Sequence, residues 1–373
     1  MIFTRRKFAQ IGFGAAFSFG AKLLAGQGVL YADASNQLAA LAELIPAPVL
    51  TTNPGKSAIP ETHPLALGAS TRSRPKMVTE FMAKADLVLA IGSSLTRTPF
   101  GPGVPAGKTI IHATNDAADI NKEYRVGHAV IGDAALVLDA LIAEVDRQKG
   151  AGGANALASL KEDIAAAKKA WLADWDKHLN SEEVPINQYR VIRDLMRSVD
   201  RDNVIITHDS GGPREQLLPF WETTAPGSYM GWGKSTQLGY GLGITMGAKL
   251  AAPEKLCVNI MGDASIGMTG MDIETAARNR IGILTIVFNN GVMAAERDVL
   301  EISTKKYGAL TIGGNYTKVA EGLNVAAMRI EKPGDIVPAI KDAVRVTETS
   351  APFLLEILVK EGYDFSRYPL EGL

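Results

Sequence analysis

Two short polar clusters, each closing an apolar run, could carry chemistry in this chain. The first is Gly262-Asp263-Ala264-Ser265 and the second is Asn289-Asn290-Gly291. Asp263 offers a hard anionic oxygen, and the Asn290 side-chain carbonyl offers a neutral one. Gly291 lets the chain turn so that the Val292 carbonyl can point back at the same spot. Three protein oxygens on one side of an octahedron suit Mg²⁺, which takes few protein ligands and fills its shell with phosphate oxygens and water. Gly262, Ala264 and Ser265 are small, so a diphosphate can approach the backbone amides where a helix begins. The expected chemistry is a Mg-diphosphate anchor with Asp263, Asn290 and Val292 as metal ligands.

A scaffold must bring the two clusters together. Twenty-four residues (265–288) separate Ala264 from Asn289, and a helix is expected over 271–280. This is the spacing of a parallel β-α-β unit. It places both clusters at the carboxyl ends of adjacent strands, where open α/β sheets bind ligands. Apolar strands at 203–207, 256–261, 281–288 and 353–359, with a helix over 187–198, define a domain spanning 184–373. Upstream, strands at 23–30, 48–51, 85–92, 109–113 and 129–131 alternate with helices over 35–44, 77–85 and 134–145. They define a domain spanning 21–148, again a parallel sheet covered on both faces. The linker between them, 149–183, holds Gly150-Ala151-Gly152-Gly153 and an Ala- and Lys-rich helix over 157–179. Trp171 and Trp175 share one face of that helix and are expected to pack against a domain. The fold class is α/β with two parallel-sheet domains, preceded by an atypical segment, 1–20.

The spaced clusters resemble the fingerprint of thiamine diphosphate (ThDP) enzymes: Gly-Asp-Gly/Ala-Ser, a helical spacer, then Asn-Asn. The resemblance extends to Gly239-Tyr240-Gly241-Leu242-Gly243 and Gly247-Ala248-Lys249-Leu250-Ala251, which are similar to the segment before that fingerprint in acetolactate synthase and benzoylformate decarboxylase. The first domain is similar to their central domain at Gly26-Gln27-Gly28, Gly55-Lys56, Pro60-Glu61-Thr62-His63-Pro64, Ala90-Ile91-Gly92-Ser93 and Asp119-Ile120-Asn121-Lys122. The resemblance covers about residues 21–360. It implies that Asp209, Ser210, Gly211 and Gly212 form the loop against the diphosphate, together with Gly262, Ala264 and Ser265. It also implies that Leu238 is the bulky apolar residue that props the cofactor into a V under its thiazolium ring.

By the same resemblance the activity is cleavage or ligation next to the carbonyl of a 2-keto acid, with acetolactate-synthase-like carboligation first and decarboxylation second. Family members carry an amino-terminal domain that binds the aminopyrimidine and supplies a glutamate. Residues 1–20 are too few for such a domain, and no glutamate of this chain stands in that place, so the catalytic residue is unassigned. The missing half of the site is expected from a separate pyrimidine-domain subunit, within a homo-oligomer or larger assembly, and the isolated chain is expected to be nearly inactive. The competing reading is a non-catalytic ThDP-binding or regulatory subunit. FAD or an adenine nucleotide in the first domain is a weaker expectation. Asn115 stands where relatives more often have an acidic residue near the ribose, and Tyr31 replaces the third glycine of a dinucleotide-binding motif.

Composition narrows the remaining classes. Lys+Arg (39) nearly balances Asp+Glu (40), which gives no bulk electrostatic reason to bind nucleic acid or an anionic membrane. The single cysteine, Cys257, excludes an internal disulfide and a Cys-rich metal site. No His pair has zinc spacing, and no Gly-x-Ser-x-Gly nucleophile motif occurs. Thr4-Arg5-Arg6-Lys7-Phe8 resembles a twin-arginine export signal. The charge-free stretch 11–21 suits its apolar region and is too short to span a bilayer, and Ala32-Asp33-Ala34 reads as a cleavage site. The favoured alternative is a cytoplasmic chain whose residues 21–34 belong to the first βαβ unit. His208 is a proton-shuttle candidate, with capping the strand or bonding backbone as the favoured alternative, while Glu296 and Arg297 are either pocket residues or an exposed helix face.

Overall fold

A computed structural model gives the architecture and describes residues 20–98, 101, 103–148, 154–232, 237–362 and 364–369. The first domain opens with β1 (Ala21–Ala25), all five residues of which are buried, as a central parallel strand requires. It continues through α1 (Gln27–Tyr31), α2 (Ser35–Leu44), β2 (Val49–Thr52), β3 (Ala66–Ser70), α3 (Lys76–Ala83), β4 (Leu87–Ile91), β5 (Thr109–Thr114), β6 (His128–Ile131) and α4 (Ala134–Gln148). Among the described residues these form a six-stranded parallel sheet in the order β3-β2-β1-β4-β5-β6. The strand expected over 23–30 ends at Ala25, because the Gly-x-Gly pair turns the chain into α1. Both glycines are there for contact. A Cβ on Gly26 would lie 2.3 Å from the Gly92 carbonyl oxygen, and one on Gly28 would lie 2.7 Å from Gly92 Cα.

The helix α5 (Ala154–Asp174) leads to the second domain. Its elements are α6 (Gln188–Ser198), β7 (Val204–His208), α7 (Gly212–Phe220), β8 (Tyr229–Met230), α8 (Tyr240–Ala251), β9 (Leu256–Gly262), α9 (Asp263–Thr269), α10 (Ile273–Arg278), β10 (Ile283–Asn289), α11 (Tyr316–Gly322), β11 (Ala326–Ile330), α12 (Ile336–Glu348) and β12 (Phe353–Leu358). The sheet order is β11-β12-β10-β9-β7-β8, again with parallel neighbours. The central strands β9, β10 and β12 are nearly all buried, and each buried Leu, Ile, Val or Phe contributes about 1.5–3 kcal/mol. Three strands escape the apolar-run pattern, and all three are sheet edges. β3 is made largely of small residues, β8 has two residues, and β11 is largely half-exposed. The helix expected over 271–280 is α10 (Ile273–Arg278), and a further short helix, α9, precedes it and starts at Asp263 itself.

The two domains dock through charges taken out of water. Lys56 is fully buried and its Nζ lies 2.5 Å from both carboxylate oxygens of Glu61. Glu61 Oε2 also accepts the Thr223 amide at 3.0 Å, across the domain boundary. Ser73 Oγ donates to Glu215 Oε2 at 2.7 Å. Trp171 stacks on Phe220 at 4.8 Å between ring centroids, and Trp175 meets Tyr189 edge-on at the same separation, so both tryptophans of the linker helix pack on the second domain. Among the described residues no helix is long and apolar enough to cross a membrane. The twin-arginine segment at 4–8 lies outside the described residues, whereas 21–34 form β1, α1 and the turn into α2, so the Ala32-Asp33-Ala34 site sits inside a folded unit.

Candidate functional site

The second sheet reverses its order between β7 and β9, and the residues singled out in the sequence gather at the carboxyl ends of these strands and of β10. β9 delivers Gly262 and Asp263, and Asp263 opens α9. Its carboxylate is buried and bonded to three neighbouring amides. Oδ1 accepts from Ala264 at 2.9 Å, and Oδ2 accepts from Asn290 at 3.0 Å and Gly291 at 2.7 Å. Burial pushes the Asp263 carboxyl above the usual carboxylate range, and the three amides oppose that shift. Oδ1 carries one such bond, which leaves it acceptor capacity for a cation.

The two asparagines divide their tasks. Asn289 Nδ2 donates to Glu356 Oε1 at 2.7 Å. Glu356 is fully buried on β12, and it also accepts from Arg329, from the Thr317 amide and from the Thr317 hydroxyl. Asn289 is thereby an anchor for the turn. Asn290 keeps its side-chain oxygen at the turn itself, where it accepts the Val292 amide at 3.2 Å. Gly291 has φ +74°, a conformation that strains any residue with a Cβ, and its carbonyl accepts the Ile312 amide at 3.0 Å. The Val292 carbonyl accepts the Ala294 amide at 2.9 Å.

Asp209 ties the second half of the site together from inside. Its Oδ1 accepts from the Ser210 amide at 2.8 Å, the Gly239 amide at 2.9 Å and Ser265 Oγ at 3.0 Å, and its Oδ2 accepts from Gly241 at 3.3 Å. One buried carboxylate thus joins the loop after β7, the entry to α8 and the first turn of α9. Leu238 is half-buried beside Gly239, whose φ is +92° and whose Cβ would lie 2.1 Å from Thr269 Cγ2. Gly211 (φ +84°) caps α7, Gly212 begins it, and Pro213 lies 4.0 Å from where a Gly262 Cβ would be. Glycines at 211 and 262 therefore place no side chain over the neighbouring backbone amides. Ser210 Oγ is buried there with no hydrogen-bond partner among the described residues.

An unpaired buried hydroxyl, side-chain-free amides and a carboxylate beside an amide carbonyl fit a diphosphate and a hard cation. Among the described residues no cluster of three or more His, Cys, Asp or Glu could hold a metal. A cation at this position would rest on one carboxylate with neutral oxygens, the donor set of a Mg²⁺ shared with phosphates.

For His208 and Arg297 the structure takes the structural alternative. His208 is fully buried, and burial pushes its imidazole down to about 3, so it stays neutral near pH 7 and has no solvent face from which to shuttle protons. Arg297 is exposed and pairs with Glu361, the exposed-face alternative. The cavity in the first domain, about 690 Å³, lies at the β1/β4 reversal and not at the Asp263 cluster. It is lined by Gly28, Gly92, Ser93, Asn115, Asp119 and Trp232, among others. Sequence reasoning did not single out Glu356 or Asn53, and it named Tyr240 only as part of a glycine motif. Glu356 had a signal, one charge inside the apolar run 353–359, whereas Asn53 acquires its role only when the domains meet.

An α/β chain with a cation- and diphosphate-compatible switch point is one class of cofactor enzyme, and the comparisons make the class specific. Residues 21–141 match the family model "Thiamine pyrophosphate enzyme, central domain" and residues 209–357 match "Thiamine pyrophosphate enzyme, C-terminal TPP binding domain". The chain belongs to the thiamine-diphosphate-dependent enzyme family and contains its central and carboxyl-terminal domains. It is 29% identical over 364 residues to a probable acetolactate synthase large subunit of Methanococcus aeolicus, covering 93% of this chain and 59% of that protein. It is 30% identical over 351 residues to the probable acetolactate synthase large subunit of Methanocaldococcus jannaschii, with 90% and 57% covered. A sulfoacetaldehyde acetyltransferase of Castellaniella defragrans is 27% identical, with 86% and 57% covered. The chain spans a little more than half the length of these relatives.

Proposed function

We propose that this chain binds ThDP and Mg²⁺ and takes part in cleavage or ligation at the carbonyl of a 2-keto acid, with carboligation of the acetolactate synthase kind ahead of simple decarboxylation. The observation that carries this reading is the junction of Asp263 with the Asn290–Gly291 amides beside the Asp209–Ser210 loop. Asp263, Asn290 and the Val292 carbonyl would hold the cation. The amides at 211–212 and 264–265, with Ser210 Oγ, would hold the diphosphate. Leu238 would support the thiazolium, whose bound form supplies an electron sink next to the reacting carbonyl. Asp209 keeps these segments in register without touching solvent.

The aminopyrimidine half of the site would come from a partner domain. Exposed Met268 and Met271 after Asp263, and exposed Val299, Ile302 and Tyr307 after Asn290, give that partner an apolar surface beside the cluster. Calorimetric titration with ThDP and Mg²⁺ tests the reading. Micromolar, metal-dependent binding that is lost in Asp263→Ala is expected, and saturation by NAD alone would overturn it. Pyruvate turnover by the isolated chain is expected to be nil or a trace; robust turnover would sink the partner proposal.

A further inference from the structure

The first-domain cavity lies at the reversal between β1 and β4, where open α/β sheets bind ligands, and its volume of about 690 Å³ suits a small organic molecule. The resemblance offers FAD or an adenine nucleotide for it, and both carry phosphate. The lining does not fit phosphate. Among the described residues that line the cavity there is no Lys, Arg or His, and there are two aspartates, Asp119 and Asp133. Lys122 is engaged by Asp119 at 2.5 Å, and the Arg97 guanidinium lies over the Tyr124 ring, 5.4 Å from its centroid. The backbone donors are spent as well. In the glycine turn, the Gly26 amide donates to the Ile91 carbonyl at 2.9 Å, Gly28 to Gly92 at 2.8 Å and Val29 to Gly26 at 3.2 Å. The Leu95 amide turns to Ser93 Oγ at 3.2 Å. The head of α4, a 15-residue helix, also reaches the cavity, at Ala134. There Asp133 Oδ1 accepts the Ala135 amide at 2.9 Å and the Leu136 amide at 3.3 Å. A carboxylate thus stands where a helix head would hold an anion.

The rest of the lining is neutral. Gln27, Ser93, Ser94, Thr96 and Asn115 offer hydroxyls and amides, and Tyr31 and Trp232 offer partly exposed aromatic rings. We propose that this cavity takes an uncharged molecule, a planar ring on a hydroxylated chain, and rejects the phosphorylated form of the same molecule. Hydroxyls can donate to the aspartates and meet the neutral side chains, whereas a phosphate would be desolvated beside carboxylates with no cation to meet it. The proposal concerns the first domain and does not depend on the ThDP reading.

Two pairs of probes isolate the phosphate. Riboflavin and riboflavin 5′-phosphate share ring and chain, and adenosine and AMP share base and ribose. The full chain, without ThDP or Mg²⁺, is titrated with the flavins by fluorescence and with the adenosine pair by calorimetry. Micromolar binding of at least one uncharged member is expected, with its phosphorylated form at least about tenfold weaker. Asn115 is exposed at the rim, and Asn115→Trp, with a thermal melt to confirm folding, should fill the cavity and abolish the binding. Asp133→Asn keeps a side chain that can cap α4 and removes one charge, so it should tighten the phosphorylated form about fivefold and leave the uncharged one unchanged. Binding of neither uncharged member overturns the proposal, as does a phosphorylated member that binds equally or more tightly. Binding that survives Asn115→Trp, or an Asp133→Asn variant that discriminates as the wild type does, overturns it too.

Discussion

Asp263 Oδ2 accepts the Gly291 amide at 2.7 Å, which ties the head of α9 to the turn after β10. The position proposed for the cation is framed by these backbone donors.

Asp263→Asn should therefore weaken the apo protein as well as metal binding. An amide in place of the carboxylate cannot accept from all three N–H groups, and a buried bond to a charged acceptor is lost. Urea unfolding without cofactor should show a loss of about 1–3 kcal/mol. Unchanged stability would mean that the loop is held by other contacts.

Two glycines should respond in a definite order. Gly291→Ala meets only the Ile312 carbonyl oxygen, at 3.7 Å, and its cost is the positive φ, about 1–2 kcal/mol. Gly231→Ala drives a Cβ to 2.3 Å from Asn53 Oδ1 and 2.4 Å from the Asn53 carbonyl oxygen, so backbone of both domains must shift. Melting should fall further for Gly231→Ala, and the opposite order would contradict the domain contact.

The buried Lys56–Glu61 pair should be costly to break from either side. Burial lowers the Lys56 ammonium and Glu61 opposes that effect. Lys56→Met or Glu61→Gln each leaves a charge without its partner, for about 3–5 kcal/mol. The double variant should lose less than the sum of the two, because the singles share one interaction. A fully additive double-mutant cycle would show that the pair is not coupled.

Acid should destabilise the cofactor-free chain through His208. Unfolded, its imidazole takes a proton near its ordinary value of 6.5, and folded it does so only at about 3. The folded state binds fewer protons in that window, so stability is complete above about 6.5 and falls as pH drops toward 3, by at most about 4–5 kcal/mol. The raised carboxyls of Asp209 and Asp263 act in the opposite sense at the acid end. Chemical unfolding at pH 7 and pH 5 checks this, and His208→Asn should lose most of the difference.

The sequence by itself determined the two parallel α/β domains, because buried central strands must read as apolar runs and their cofactor-facing ends must break into Gly, Asp, Ser and Asn. It also determined which residues crowd the candidate site, since the resemblance rests on local spacing at 209–212, 238–243, 262–265 and 289–292. Edge strands β3, β8 and β11 were not legible, because β3 is buried but built largely of small residues, β8 is two residues long, β11 is largely half-exposed, and so no apolar run marks them. Only the tertiary structure decided what the polar side chains do. Asp209 became an internal clamp and Asn289 an anchor on Glu356. His208, whose favoured reading is structural, meets the Asp209 carbonyl, Asn53 and Tyr240. Apart from that neighbouring carbonyl, these roles depend on partners between 30 and 155 residues away along the chain, and no local pattern encodes which amide or hydroxyl a buried group will meet.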